Sequence, residues 1–216
     1  MVQITYNEKN SIGDGCGERT NTGLSNLGME LIERMNELDM IVDLSHVGDR
    51  TTDEAIDAGK IVVCSHSNAR SLCKNVRNKT DDQIKALAKK NGIIGVVAHP
   101  SFVKWTNTEK DELPTLDDLL DHIDYIVKFV GSEHVGFGFD FVENIIPEQQ
   151  TQDLLTRPEI WGRPTSKGTY DYPVGISGIS DAINVTKGLI ARGYADGDIL
   201  NILGRNWIRV LKRSLK

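Results

Sequence analysis

Ile41-Val42-Asp43-Leu44-Ser45-His46, followed by Ile61-Val62-Val63-Cys64-Ser65-His66, decides the fold. Both runs are short, apolar and rich in β-branched residues, and both end in Ser-His, which reads as two buried strands of like construction. Neighbouring parallel strands lie about 4.8 Å apart, so imidazoles at matching strand ends can reach one metal ion. Enzymes of the β/α barrel type place their chemistry at that end of their strands.

Working outward, residues 2–6, 92–98 and 135–141 also read as strands, and helical patterns alternate with all five. Apolar residues at helical spacing mark 28–38, 81–89, 116–130, 182–192 and 196–211, and Thr51-Thr52-Asp53-Glu54 reads as a capping box opening a short helix to Ala58. Such alternation implies a parallel sheet with crossover helices. Period-two alternation puts Val42, Leu44 and His46 on one face, with Val62, Cys64 and His66, and Gly136, Gly138 and Asp140, on the matching face of their own strands. That face is expected to line a barrel interior, with Val2, Ile4 and Tyr6 also inward. Five strands are visible where a closed (β/α)8 barrel has eight and typically about 250 residues. The expectation is a TIM-barrel type α/β domain spanning 1–216 and containing about the last five β/α units, with 157–178 as an irregular loop. Its two edge strands would invite a partner, either an N-terminal fragment or a second copy.

The chain has 216 residues, a formal charge of −6 and 39% apolar content, enough for one sizeable core. The acidic balance, with a pI near 5.4, argues against a nucleic-acid partner, which needs a basic stripe. No apolar run approaches the roughly 20 residues of a membrane helix, and the N-terminus lacks a basic segment followed by an apolar one, so the expectation is a cytoplasmic protein. Cys16, Cys64 and Cys73 have no metal-knuckle spacing and form no evident disulfide framework.

The motifs Ile4-Thr5-Tyr6-Asn7, Asn10, Gly13-Asp14-Gly15-Cys16, Gly23-Leu24-Ser25, Met35-Asn36, Asp43-Leu44-Ser45-His46-Val47, Ser65-His66-Ser67-Asn68-Ala69, Arg77-Asn78, Gly136-Phe137-Gly138-Phe139-Asp140-Phe141 and Leu203-Gly204-Arg205-Asn206 run nearly the length of the chain. In that order they resemble the membrane (renal) dipeptidase family of metallopeptidases. The resemblance implies a β/α barrel holding two zinc ions and hydrolysing dipeptides, often with tolerance for a D-residue at the C-terminal position. It implies that His46 and His66 ligate one zinc and that Asp140 binds the other and handles the proton of the attacking water. Arg77 resembles the arginine that holds the substrate carboxylate, and a guanidinium suits a planar carboxylate. Tyr6 stands where several relatives have a histidine near the scissile carbonyl. His99, where an aromatic is usual, is expected at the same mouth as a substrate contact.

The departures are specific. The family's His-x-Asp pair and bridging glutamate do not precede residue 1, so at most partial zinc occupancy is expected, given about four ligands at a tetrahedral zinc. His122-Ile123-Asp124 lies in a helix whose positions two apart face different ways, and Val142 replaces a second aspartate. Three readings stand beside one another. The first is an active hydrolase completed by another polypeptide, the second a catalytically dead barrel serving as a binding or assembly module, and the third an amidohydrolase-type barrel acting on another amide.

Overall fold

The computed structural model describes residues 1–105, 112–142, 157–161 and 172–215. Among the described residues, five parallel strands follow one another in chain order. β1 (Val2–Gln3) pairs with β2 (Val42–Asp43), β2 with β3 (Val62–Val63), and β4 (Ile94–Val96) with β5 (Val135–Phe137). A bridge between Cys64 and Ile94 joins the two sheets, so the order is β1-β2-β3-β4-β5. The strands are shorter than the apolar runs, because the chain leaves the ladder to build turns that carry the polar residues.

Helices fill the connections. α1 (Asn26–Glu37) follows β1, and its Ser25 hydroxyl accepts from the Gly28 N–H while Gly28, Ile32 and Met35 are buried. α2 (Asp49–Ala58) follows β2 and α3 (Asp81–Lys89) follows β3. α4 (Pro100–Val103) and α5 (Leu116–Val130) follow β4, and α5 buries Leu119, Leu120, His122, Ile123 and Ile126. Reciprocal Thr80–Gln83 and Thr115–Asp118 bonds start α3 and α5 by satisfying free N–H groups of the first turn. The capping box expected at Thr51 is not formed. α2 begins three residues earlier, with Gly48 as its cap; the Thr51 hydroxyl accepts from the Asp14 N–H, and that of Thr52 donates to the Val47 carbonyl. Within 157–178, expected to be irregular, Pro158–Trp161 forms one helical turn, α6; 162–171 lie outside the described residues. Of the two closing helices, 182–192 forms α7 (Ala182–Ala191), and 196–211 divides into α8 (Asp196–Leu200) and α9 (Asn206–Ser214), with a wide turn at Asn201–Arg205.

On β2 and β3 the two faces of the sheet are the reverse of the period-two reading. Val42, Leu44, Val62, Cys64, Ile94 and Val96 belong to the main core with the helix residues Ile32, Met35, Ile56, Ile84, Leu87 and Ile123. Ile41, Ile61, Val63 and Ile93 form a smaller cluster with Val210 and Trp207 of α9. The alternation fails at the histidines because the ladders end at Asp43 and Val63, and a turn intervenes before His46. The Trp207 indole covers Gly136, and its Nε1 donates to the Phe137 carbonyl at 3.1 Å. Asn206 ties the same helix to the carbonyls of Ser132 and Val135 at 2.8 Å each. Among the described residues, no helix is long and apolar enough to cross a membrane.

Candidate metal centre

His46 and His66 meet where β2 and β3 end. Their Nε2 atoms lie 2.8 Å apart with the rings edge-on at 62°. Each ring is held from behind. His46 Nδ1 lies 2.7 Å from Asn7 Oδ1, and His66 Nδ1 lies 2.7 Å from Ser65 Oγ, whose hydroxyl donates to the buried carboxylate of Asp43. Asn7 arrives because the loop after β1 folds against the turn after β2. The Cys16 N–H bonds the His46 carbonyl at 2.9 Å, and a side chain at Gly15 would collide with the backbone of Tyr6 and Asn7.

Burial is the leading influence on both rings and favours the neutral form, with the Arg77 charge acting the same way. On His66 the charges of Asp140 and Asp43 oppose this. Neutral imidazole is the form that ligates metal.

Tyr6 lies exposed and stacks on His46, ring centroids 4.3 Å apart at 19°. His99 is buried and stacks on Phe102 at 4.1 Å; burial, then Arg77, pushes it down to about 3. The Trp161 ring lies 6.2 Å from Tyr6, 6.4 Å from His46 and 6.0 Å from His99, and so joins these aromatics into one wall. Its turn is pinned from three sides: Asn75 Nδ2 donates to the Ile160 carbonyl, Ser101 Oγ to that of Trp161, and Arg157 to that of Gly17.

Arg77 is fully buried. Its Nε donates to the Ser45 carbonyl at 3.3 Å and its guanidinium lies 4.8 Å over the Phe102 ring, but Nη1 and Nη2 have no hydrogen-bond partner among the described residues. A buried cation with two unused donor groups is costly unless an anion meets it. Asp140 sits past the end of β5, exposed, with φ 57°, a left-handed conformation that aspartate tolerates better than most residues. Its approach to the histidines depends on Gly138, where a side chain would strike the Ser65 carbonyl. Among the described residues no three His, Cys, Asp or Glu side chains converge as a metal cluster. The structure thus brings together His46, His66, Tyr6, His99 and Arg77, with Asp140 near enough for its charge to act on His66 and Arg77.

Asn7, Asp43 and Ser65 lie within the sequence motifs but, like Trp161, carry no site role there. The doubled Ser-His ending and the lone aspartate inside an apolar strand are the signals that mark Ser65 and Asp43 in retrospect. The donor set suits a divalent cation such as zinc in part: two neutral imidazoles offer nitrogen donors to one point, and further ligands are needed for the usual four.

The family model described as Membrane dipeptidase (Peptidase family M19) matches residues 1–160. An uncharacterized dipeptidase of Schizosaccharomyces pombe is 38% identical over 145 residues, covering 65% of this chain and 34% of that protein. The dipeptidase tcpJ of Claviceps purpurea is 30% identical over 191 residues, covering 88% of this chain and 38% of that protein. The crystal structure of an amidohydrolase from Pseudomonas aeruginosa superposes with a TM-score of 0.83 at 33% identity, covering 98% of this chain and 63% of that one. The chain spans less than two thirds of the length of the curated relatives it matches. With a family match over most of its residues, the chain belongs to the membrane dipeptidase family, peptidase family M19.

Proposed function

We propose that the protein acts in zinc-dependent hydrolysis of dipeptides, its five β/α units forming part of a (β/α)8 barrel. The observation that carries this reading is the meeting of His46 and His66 through their Nε2 atoms beside a buried Arg77 with free donors. His46 and His66 would hold one ion of the family's zinc site, and any second ion would need donors beyond them, Asp140 among these. When bound, zinc supplies Lewis-acid polarisation of the peptide carbonyl and activation of water. Arg77 receives the free C-terminal carboxylate of the substrate on Nη1 and Nη2, which limits the site to short peptides. Asp140 accepts a proton from the attacking water and returns it to the leaving amine. Tyr6, His99 and Trp161 wall the site and shield the scissile bond from bulk water. The two outer strands would be covered by an N-terminal fragment or by a second copy. An amidohydrolase among the similar structures keeps a second reading in view, hydrolysis of a different amide.

Zinc analysis of the purified protein, with a dipeptide panel carrying L- or D-residues at the C-terminus, tests the reading. Bound zinc, at partial occupancy in this chain alone, that is lost in both His46→Ala and His66→Ala is expected. Arg77→Ala should raise KM about 10- to 100-fold for dipeptides with a free carboxylate and leave their amides unchanged, the loss of hydrogen bonds to a charged group. Zinc-loaded protein that cleaves no dipeptide but cleaves cyclic amides would support the second reading; folded protein without zinc would overturn the metal assignment.

A further inference from the structure

We infer that Asn7 and the Asp43–Ser65 pair are positioning residues that lock His46 and His66 in the Nδ1-protonated tautomer, so that both Nε2 lone pairs face one point. The inference rests on the metal-centre reading above and extends it to residues behind the ligands.

Counting protons decides the His66 side. The Asp43 carboxylate, which only accepts, takes the Ser45 N–H at 3.2 Å, the Ser65 N–H at 2.9 Å and the Ser45 hydroxyl at 2.7 Å on Oδ1, and the Ser65 hydroxyl on Oδ2. Each serine has a single hydroxyl proton; the two hydroxyl oxygens also lie 3.0 Å apart, and the charged Asp43 carboxylate, the stronger acceptor, takes both protons. The Ser45 oxygen then accepts the His66 backbone N–H at 3.0 Å. Only lone pairs of Ser65 Oγ remain for His66 Nδ1, so Nδ1 carries the ring proton and Nε2 carries none.

His46 reaches the same state by a separate route. Asn7 presents its carbonyl oxygen to Nδ1, and that oxygen also receives the Cys16 thiol at 3.4 Å, so both neighbours donate to it. Nε2 of His46 is again the unprotonated nitrogen. Two neutral rings so held leave no proton for the 2.8 Å gap between them. Two lone pairs at that separation repel each other, and a cation between them converts the repulsion to attraction. Ligating histidines generally have the second nitrogen fixed in this way, and losing the partner typically weakens metal affinity about 10- to 100-fold.

The test compares zinc affinity, by chelator competition, in wild type, Asn7→Leu, Asn7→Asp, Ser65→Ala and Ser65→Thr, with thermal melts of each metal-free protein and long-range ¹H–¹⁵N spectra of the histidine rings. Asn7→Leu and Ser65→Ala should each weaken zinc binding about 10- to 100-fold. Asn7→Asp and Ser65→Thr, which keep the acceptor, should restore it. In metal-free protein the spectra should place the proton on Nδ1 of both rings, and Ser65→Ala should disturb His66 alone. Folded Leu and Ala variants that bind zinc as wild type does would overturn the inference while leaving the metal reading intact. Wild-type protein that binds no zinc would overturn the metal reading, and the ring spectra would then decide the tautomers independently: an Nε2 proton on either ring in wild type overturns the locking itself.

Discussion

The ammonium of Lys79 is fully buried, its Nζ bonded to the Val47 carbonyl at 3.2 Å and the Thr52 hydroxyl at 3.3 Å, with no carboxylate in ion-pair reach among the described residues. Burial drives its pKa below the ordinary lysine value of 10.5. Thr52 already donates to the Val47 carbonyl, so removing the ammonium orphans no acceptor. Lys79→Met keeps the stem's packing and should stabilise the fold by about 1–3 kcal/mol near pH 7, as replacement of buried ions by apolar groups often does. The folded-state pKa is the lower one, so wild-type stability rises with pH between it and 10.5, and the advantage of the methionine should shrink over that window. Urea unfolding at pH 7 and pH 10 checks both; a destabilised variant would mean that the two hydrogen bonds outweigh desolvation. His46 and His66 were legible in the sequence because each closes a recognisable strand. Asn7 was not, since its contact arises only when the loop after β1 closes on the turn after β2, a juxtaposition that no local spacing encodes.

One charged side chain adds to the apolar packing of α7 against α5, where Val185 and Leu189 share a core with Leu119 and Leu120. Arg192, at the end of α7, reaches Asp117, Asp121 and Asp124 along one face of α5. Three carboxylates at this spacing repel one another without the guanidinium. Arg192→Gln should cost about 1 kcal/mol at low salt, a modest figure because the partners are largely solvated. Salt then separates the two proteins by sign: added NaCl should lower the melting temperature of wild type, where it screens attraction, and raise that of the variant, where it screens repulsion. Parallel shifts would show that the network contributes nothing. Residues 81–89 and 116–130 were readable to the residue because their caps and apolar stripes agree. Thr51 misled because a hydroxyl that suits a helix cap is drawn instead to the loop at Asp14, a competition settled by tertiary contact. Face assignment on β2 failed for a related reason: extending a two-residue period past Asp43 assumes a strand where the chain has already turned.

For the molecule as a whole, acid is the expected weakness. His46, His99 and His122 are buried, and desolvation lowers all three pKa values from 6.5, that of His99 to about 3. Below pH 6.5 the unfolded chain takes up protons that the folded chain refuses, so stability falls as pH falls, by up to about 1.4 kcal/mol per pH unit for each such histidine. Urea midpoints from pH 7 to pH 4.5 should decline accordingly, and His99→Phe should remove about one proton's share of the slope; an unchanged slope would show that His99 is protonated in the folded state. The order of strands and the parallel α/β character were legible because each β/α unit announces itself locally. How the last helix meets the sheet was not, because Trp207 chooses its place by shape, against residues without side chains at 95 and 136.

That arrangement has a consequence for synthesis. Ile41, Ile61, Val63 and Ile93 are made early, yet their covering residues, Trp207 and Val210, leave the ribosome long afterwards. Until then that side of the nascent sheet lacks the apolar cover it has among the described residues, and apolar surface exposed during synthesis favours aggregation.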